Sequence, residues 1–103
     1  MGVITVKHVS SKDGWEKPKD GSPTWIDYWV VHSGYELNDF CRDCRKHISR
    51  DCFVGAHVKK VGKQDNCIYI VPTCKSCNTK GGFDLHEFRC EESIMVPANK
   101  ERL

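Results

Sequence analysis

Two cysteine pairs with the spacing Cys-x-x-Cys constrain this chain more than any other feature. The first pair is Cys41 and Cys44, and the second is Cys74 and Cys77. A Cys-x-x-Cys turn lets two thiolates from one short stretch of chain reach the same ion, and two such turns complete the tetrahedral shell of a structural zinc. The sequence therefore predicts one structural zinc per chain, bound by these four cysteines.

The size and cysteine content of the chain favour a metal over disulfide bonds. A chain of 103 residues is long enough for one domain with a modest core, which a metal can stabilise. The seven cysteines are an odd number, and the first residues lack the basic-then-apolar pattern of a secretory signal. We therefore expect an intracellular, cytoplasmic protein, with redox or disulfide use of the pairs as alternatives. The remaining cysteines are interpreted as buried small apolar residues: Cys52, Cys67 and Cys90.

Positive charge is concentrated in the middle of the chain. Residues 41–80 contain nine Lys or Arg and three Asp, a balance of +6, whereas the whole chain carries +2. This sign is expected of a surface that contacts phosphates, and an ordinary solvated surface is the alternative interpretation. Nucleic acid is therefore the predicted partner, and a membrane is not, because no apolar run is long enough for a span. The candidate contact residues are all lysines: Lys59, Lys60, Lys63, Lys75 and Lys80.

The first part of the chain is predicted to be a β element. Alternation of β-branched and polar residues predicts a strand over Val3–Val9. Ser10–Pro23 is rich in Lys, Asp, Gly, Ser and Pro and is typical of an exposed loop. Trp25–His32 is aromatic and β-branched, which indicates a buried strand.

From Phe40 onward the pattern indicates a zinc-binding core. Phe40–His47 predicts a zinc knuckle, and two short apolar strands separated by a turn follow it. A helix beginning at Cys74, a further helical turn and a last strand complete the prediction. After the knuckle, the predicted strands are Cys52–Val58 and Ile68–Val71, and Pro72 ends the second. The predicted helix is Cys74–Lys80, the further helical turn is Phe83–Phe88, and the last strand is Arg89–Val96.

Knuckle, hairpin and helix in this order are typical of a treble-clef zinc finger. The predicted fold class is therefore small α+β, a treble-clef core extended by an N-terminal β element. We expect a single domain over residues 1–103. Its predicted parts are the N-terminal element at 1–39, the zinc-binding core at 40–82 and a C-terminal extension at 83–103.

Residues 40–82 resemble the zinc-bearing branch of the HNH, or His-Me finger, endonucleases, the branch that includes phage recombination endonuclease VII. The matching order is a cysteine pair, His57 on a hairpin strand, and a second pair followed at once by Asn78. The resemblance implies that His57 is a general base that activates water. It also implies that Asn78 helps to hold a second, exchangeable Mg²⁺ or similar ion on a scissile phosphate.

The chain departs from this family at Ala56, where the family usually places the acid that binds the catalytic cation. Alanine cannot bind Mg²⁺, which prefers carboxylate oxygens. Two interpretations remain open: a metal-dependent endonuclease of reduced activity, or a non-catalytic zinc-stabilised module that binds nucleic acid or protein. Under the second interpretation, His57 is structural and Asn78 caps the helix. On the endonuclease interpretation, an aspartate at position 56 is expected to restore a carboxylate beside His57.

Overall fold

The chain forms a small α+β structure around one antiparallel sheet. The computed structural model describes residues 2–9, 18, 21–35, 40–62, 67–78 and 87–98. Residues 75–78 are α-helical, and none of the helices in these ranges is long and apolar enough to cross a membrane. The other elements are β1 (Val3–His8), α1 (Trp25–Ser33), β2 (Phe53–Lys60), β3 (Tyr69–Cys74), β4 (Glu87–Glu91) and β5 (Val96–Pro97), with 3₁₀ turns at Arg50–Cys52 and Glu92–Ile94.

The sheet has the strand order β4-β1-β2-β3-β5, and every neighbouring pair is antiparallel. The predicted hairpin is present as β2 and β3, with Phe53 opposite Cys74 and Val58 opposite Tyr69. The predicted first strand is also confirmed, and β1 lies between β2 and β4. Strands from both ends of the chain therefore extend the sheet that the hairpin begins.

The prediction that Pro72 ends the second strand is wrong. Pro72 lies inside β3, opposite Gly55 of β2. Its carbonyl accepts a hydrogen bond from the backbone N–H of Arg42 at 3.1 Å, on the side away from β2. In a strand the nitrogen and carbonyl of one residue point to the same side, so the missing N–H also lies on this side. The proline therefore removes no bond from the β2–β3 ladder, which is why the strand tolerates it.

The predicted strand over Trp25–His32 is also wrong, because this segment is helix α1. Thr24 caps the helix by accepting a hydrogen bond from the N–H of Asp27 at 3.2 Å. Gly34 ends it in the left-handed conformation, with φ of 75°. A Thr that precedes an acid by three residues and a terminal glycine are helix start and stop signals, and here they override the β propensity of the residues between them.

Four ring-bearing side chains of α1 follow the period of a helix. Trp25, Tyr28, Trp29 and His32 have the spacing i, i+3, i+4 and i+7, which places them on one side. Tyr28 and Trp29 are fully buried. A strand would have sent these two neighbours to opposite faces, whereas the helix buries both on one side.

Two hydrogen bonds join α1 to the C-terminal segment. The Tyr28 hydroxyl donates to the carbonyl of Pro97 at 2.7 Å, and the Trp29 indole N–H donates to the carbonyl of Ile94, also at 2.7 Å. Each large aromatic side chain thus buries its ring and still satisfies its polar atom. These bonds connect the helix to the edge of the sheet formed by β5.

Successive residues of β2 point to opposite faces of the sheet. His57 lies opposite Ile70 on the face that α1 covers, which we call the helix face. Ala56 lies opposite Val71 on the second face, where Val58 is also buried. Core residues therefore occupy both faces of the hairpin, and a change of one position along β2 exchanges one set of neighbours for the other.

The C-terminal predictions are partly correct. The predicted single strand at Arg89–Val96 is two strands, β4 and β5, separated by a 3₁₀ turn. The predicted helical turn at Phe83–Phe88 falls outside the described residues except for its last two, which begin β4. Most of the predicted loop at Ser10–Pro23 also lies outside them.

The three cysteines outside the pairs do not behave alike. Cys90 is buried, as predicted, and burial raises the pKa of its thiol to about 12. Cys52 and Cys67 are exposed, so the interpretation of these two as buried apolar residues is wrong.

Candidate metal centre

The two Cys-x-x-Cys pairs meet in space. The Sγ atoms of Cys41, Cys44, Cys74 and Cys77 all lie within 4.8 Å of one another. The first pair comes from the knuckle, while Cys74 ends β3 and Cys77 lies one helical turn further on. Residues three apart in a helical turn lie on the same side, which brings the second pair together. The sequence prediction that these four cysteines share one site agrees with this geometry.

The Phe40–His47 knuckle is a tight turn held by its own backbone. Its end residues pair as an isolated β-bridge. The N–H of Cys41 donates to the carbonyl of Lys46 at 3.0 Å, and the N–H of Arg45 donates to the carbonyl of Cys41 at 2.9 Å. Arg45 has a φ of 65°, a left-handed conformation that reverses the chain. The turn therefore presents both thiols of the first pair to the same side.

Cys41 is the most enclosed of the four ligand candidates. It is fully buried, and its sulfur accepts backbone hydrogen bonds from Asp43 at 3.3 Å, from Cys44 at 3.4 Å and from Cys74 at 3.3 Å. Hydrogen bonds to sulfur stabilise the thiolate, the form in which cysteine binds metal. One of the three donors comes from β3, so the knuckle and the hairpin are joined at this atom.

The pKa shifts of the thiols in the cluster differ in direction. Burial raises the pKa of Cys41, and burial together with a hydrogen bond that the Cys77 thiol donates to Cys74 raises that of Cys77. For Cys44 burial also acts to raise the pKa, but hydrogen bonds from the Lys46 N–H and from neighbouring thiols outweigh it and lower the value. Four thiolates packed this closely repel one another unless a cation lies between them.

The donor set fits a soft divalent metal. A tetrahedral ion with metal–sulfur bonds of about 2.3 Å needs sulfur atoms about 3.8 Å apart. The sulfurs here lie within 4.8 Å of one another, so small side-chain adjustments suffice. Four sulfurs also complete the shell and leave no open position for substrate, which is typical of a structural rather than a catalytic site.

The spacer residues of the first pair contact the sheet. The Asp43 carboxylate lies 3.1 Å from Nε2 of His8 on β1, and the Arg42 guanidinium lies 3.7 Å from the Glu91 carboxylate at the end of β4. His8 shares the second face of the sheet with Val58, its partner in the register. The knuckle therefore lies against the second face. These contacts were not predicted, although two charged spacers of opposite sign between Cys41 and Cys44 were a signal for them.

His57 lies beneath the start of α1. Its ring meets the Trp25 indole edge to face, with centroids 4.8 Å apart and an interplanar angle of 77°. Gly55 makes this close packing possible, because a Cβ at that position would lie 2.6 Å from the backbone carbon of Trp25. Burial lowers the pKa of His57 to about 4. An imidazole with this pKa is a weak proton acceptor, and so its surroundings suit packing better than general-base catalysis.

The other two positions of the family motif are also located. Ala56 is fully buried on the second face, and Asn78 is half-buried in the helical residues that follow Cys77. An acid at position 56 would point away from His57, so the expectation that it would stand beside this histidine is wrong. The catalytic roles of His57 and Asn78 remain predictions.

The predicted nucleic-acid contacts are not equally placed. Lys59 and Lys75 are exposed, whereas Lys63 and Lys80 lie outside the described residues. Lys59 projects from the helix face of β2, directly opposite Lys7 of β1. Lys7 also lies opposite Glu87 of β4, so an acid accompanies these two lysines on the same face of the sheet.

Lys60 is engaged within the protein. Its Nζ lies 2.8 Å from the Glu92 carboxylate and 4.9 Å from the centre of the Tyr69 ring. The hydrogen bond to Glu92 raises the pKa of Lys60. Lys60 is therefore a predicted contact whose charge the fold already neutralises.

Comparisons with known proteins add no relative: no family model, no curated protein and no solved structure matches this chain.

Proposed function

We propose that the protein is a zinc-stabilised, treble-clef module that binds nucleic acid, built on an HNH-like frame without its catalytic activity. The observation that carries the proposal is the convergence of four cysteine sulfurs within 4.8 Å. Zinc suits this site because it accepts four thiolates in a tetrahedron and has no redox chemistry. Knuckle, hairpin and helical residues 75–78 follow one another in treble-clef order.

The surroundings of His57 favour binding over catalysis. Phosphodiester hydrolysis by an HNH site needs a base and a divalent cation at the same phosphate. Trp25 lies against His57, and burial lowers the pKa of the histidine to about 4. The neighbouring Ala56 contributes a methyl group to the core on the other face. Neither residue supports hydrolysis.

Exposed positive charge supports nucleic acid as the partner. Besides Lys59 and Lys75, the exposed cationic residues include Lys46 of the knuckle and Arg50 of the turn after it. Arg50 also lines an open pocket of about 380 Å³ beside the knuckle. Contacts of this kind bind phosphates through counterion release and carry little sequence information. We therefore expect weak, salt-dependent binding with little preference for sequence.

Two measurements on the full chain test the proposal. Elemental analysis of the purified protein should give one zinc per chain. Fluorescence anisotropy with a labelled oligonucleotide should show binding at low salt that falls steeply as salt is raised. The double variant Lys59→Gln with Lys75→Gln should weaken binding at least tenfold, whereas the matched control Lys60→Gln should change it less than threefold.

Three outcomes count against the proposal. Absence of zinc removes the metal module, and binding that is absent at low salt or insensitive to salt removes the nucleic-acid partner. Cleavage of DNA or RNA with Mg²⁺ or Mn²⁺, abolished by His57→Ala, would establish the endonuclease instead.

A further inference from the structure

The two spacer residues of the first cysteine pair are turned inward. Arg42 is 6% exposed, and the side chain of Asp43 is 7% exposed. Each faces an opposite charge or a hydrogen-bond donor supplied by a strand outside residues 40–82. Buried charged groups are costly unless they are paired, so these side chains hold the knuckle in one position relative to the sheet.

His8 supplies the contact on β1. The histidine is 1% exposed, and its ring packs against Phe88 with centroids 5.1 Å apart. An ionised carboxylate can only accept hydrogen bonds, so Nε2 of His8 is the donor to Asp43 in the 3.1 Å contact. The packing fixes the ring, and the hydrogen bond in turn fixes a residue that lies between two metal-ligand candidates.

Glu91 supplies the contact at the end of β4. Its carboxylate lies 3.7 Å from Arg42 and 3.6 Å from Arg45, and both guanidinium groups also lie over the Phe40 ring, at 4.4 and 5.8 Å. One acid therefore joins both arginines of the knuckle. Because Arg42 and Arg45 each follow a cysteine of the first pair, a shift of Glu91 would be felt at both thiols.

We propose that His8 and Glu91 are positioning residues for the metal centre. They hold the knuckle against β1 and β4, so that its two thiols face the second pair before metal arrives. A site that is formed only part of the time binds its ligand more weakly by the fraction of molecules in which it is formed. Partners that orient metal ligands in this way typically change metal affinity by about 10- to 100-fold when they are replaced. The inference rests on the proposed zinc site and adds that residues outside 40–82 determine its affinity.

The test is a chelator competition that measures zinc affinity in the full chain. His8→Leu and Glu91→Ala should each weaken zinc binding by about 10-fold or more. His8→Gln keeps a nitrogen donor near the same position and should recover most of the affinity. Ile70→Ala removes a buried side chain on the helix face, away from the knuckle, and serves as the control: it should lower stability and leave zinc affinity within about threefold of wild type.

Cobalt spectra separate positioning from loss of a ligand. The variants should keep the spectrum of a four-thiolate site while binding Co²⁺ more weakly. Wild-type zinc affinity in folded His8→Leu and Glu91→Ala would overturn the inference. If His8→Leu fails to fold, Glu91→Ala still tests the inference, because the side chain of Glu91 is half-exposed. Wild-type protein that binds neither zinc nor cobalt would instead overturn the metal centre itself.

Discussion

Ala56 and His57 are neighbours in the chain, but they lie on opposite faces of the sheet. Ala56 is fully buried opposite Val71, and His57 lies opposite Ile70, with its ring against Trp25. In this strand, therefore, a carboxylate at position 56 and an imidazole at position 57 cannot face the same phosphate. This relationship places the two neighbouring positions on different sides of the sheet, with different surroundings.

Replacing Ala56 by Asp should destabilise the protein and create no nuclease activity. The carboxylate would be buried without a partner in the core of the second face, at a cost of at least about 3 kcal/mol. Denaturant unfolding at pH 7 measures the loss. Asparagine has nearly the same size as aspartate but no charge, so Ala56→Asn should be less destabilising than Ala56→Asp. An Ala56→Asp protein with wild-type stability would contradict the assignment of this residue to the core.

His57 should make stability depend on pH in a window set by its own pKa. Its ordinary pKa is 6.5, and burial lowers the folded-state value to about 4. Between these values the unfolded chain binds more protons than the folded one, so stability falls as pH decreases from 6.5 to 4. The size of this loss is at most about 3 kcal/mol, because the residue is only partly buried.

Unfolding curves of wild type and His57→Gln at a series of pH values isolate this effect. The stability difference between them should shift by the predicted amount across the window and stay constant above pH 7. A difference that does not vary with pH would mean that His57 titrates in the folded protein as it does in water.

Cys74→Ser should lose both zinc and cooperative unfolding. Metal binding contributes directly to folding free energy in domains of this size, and this cysteine supplies a sulfur and also the N–H that bonds Cys41. Zinc content and thermal unfolding of the purified variant are the measurements. Cys52→Ser changes an exposed cysteine outside the cluster and should keep both properties. Zinc retained by a folded Cys74→Ser protein would show that another ligand completes the site.

Zinc affinity should fall as pH is lowered. Burial raises the thiol pKa of Cys41 and Cys77, so the metal must displace protons from these sulfurs when it binds. Each displaced proton makes the apparent affinity about tenfold weaker per unit of pH below the relevant pKa. Chelator competition between pH 6 and pH 8 measures the slope. An affinity that is flat over this range would mean that the thiolates form without the metal.

Gly55→Val should disturb the contact between α1 and the sheet. Even a Cβ at this position would lie 2.6 Å from the backbone of Trp25, so the helix must move. We expect a loss of about 1–3 kcal/mol, as for other overpacked core positions. Gly2→Ala is the control, because a Cβ there meets nothing within 4 Å. Wild-type stability of Gly55→Val would place the helix elsewhere.

The four-cysteine cluster was predictable because its members lie close together in the sequence as two pairs. Cys41 with Cys44, and Cys74 with Cys77, form two local turns whose spacing is set by the geometry of one ion. Strand β1 and the hairpin were predictable for a similar reason, since alternating and β-branched residues report on their own conformation. The composition of Trp25–His32 favours β structure, but its helical spacing and the caps at Thr24 and Gly34 outweigh that preference.

The sequence by itself determined which four residues can share a metal and where the hairpin lies. Only the tertiary structure decided that Trp25 covers His57, that Glu92 engages Lys60, and that His8 and Glu91 reach the knuckle. The physical reason is distance along the chain: these contacts join segments that are tens of residues apart. Their formation depends on the pairing of β1 with β2 and β4, which brings distant segments together and which no local pattern encodes.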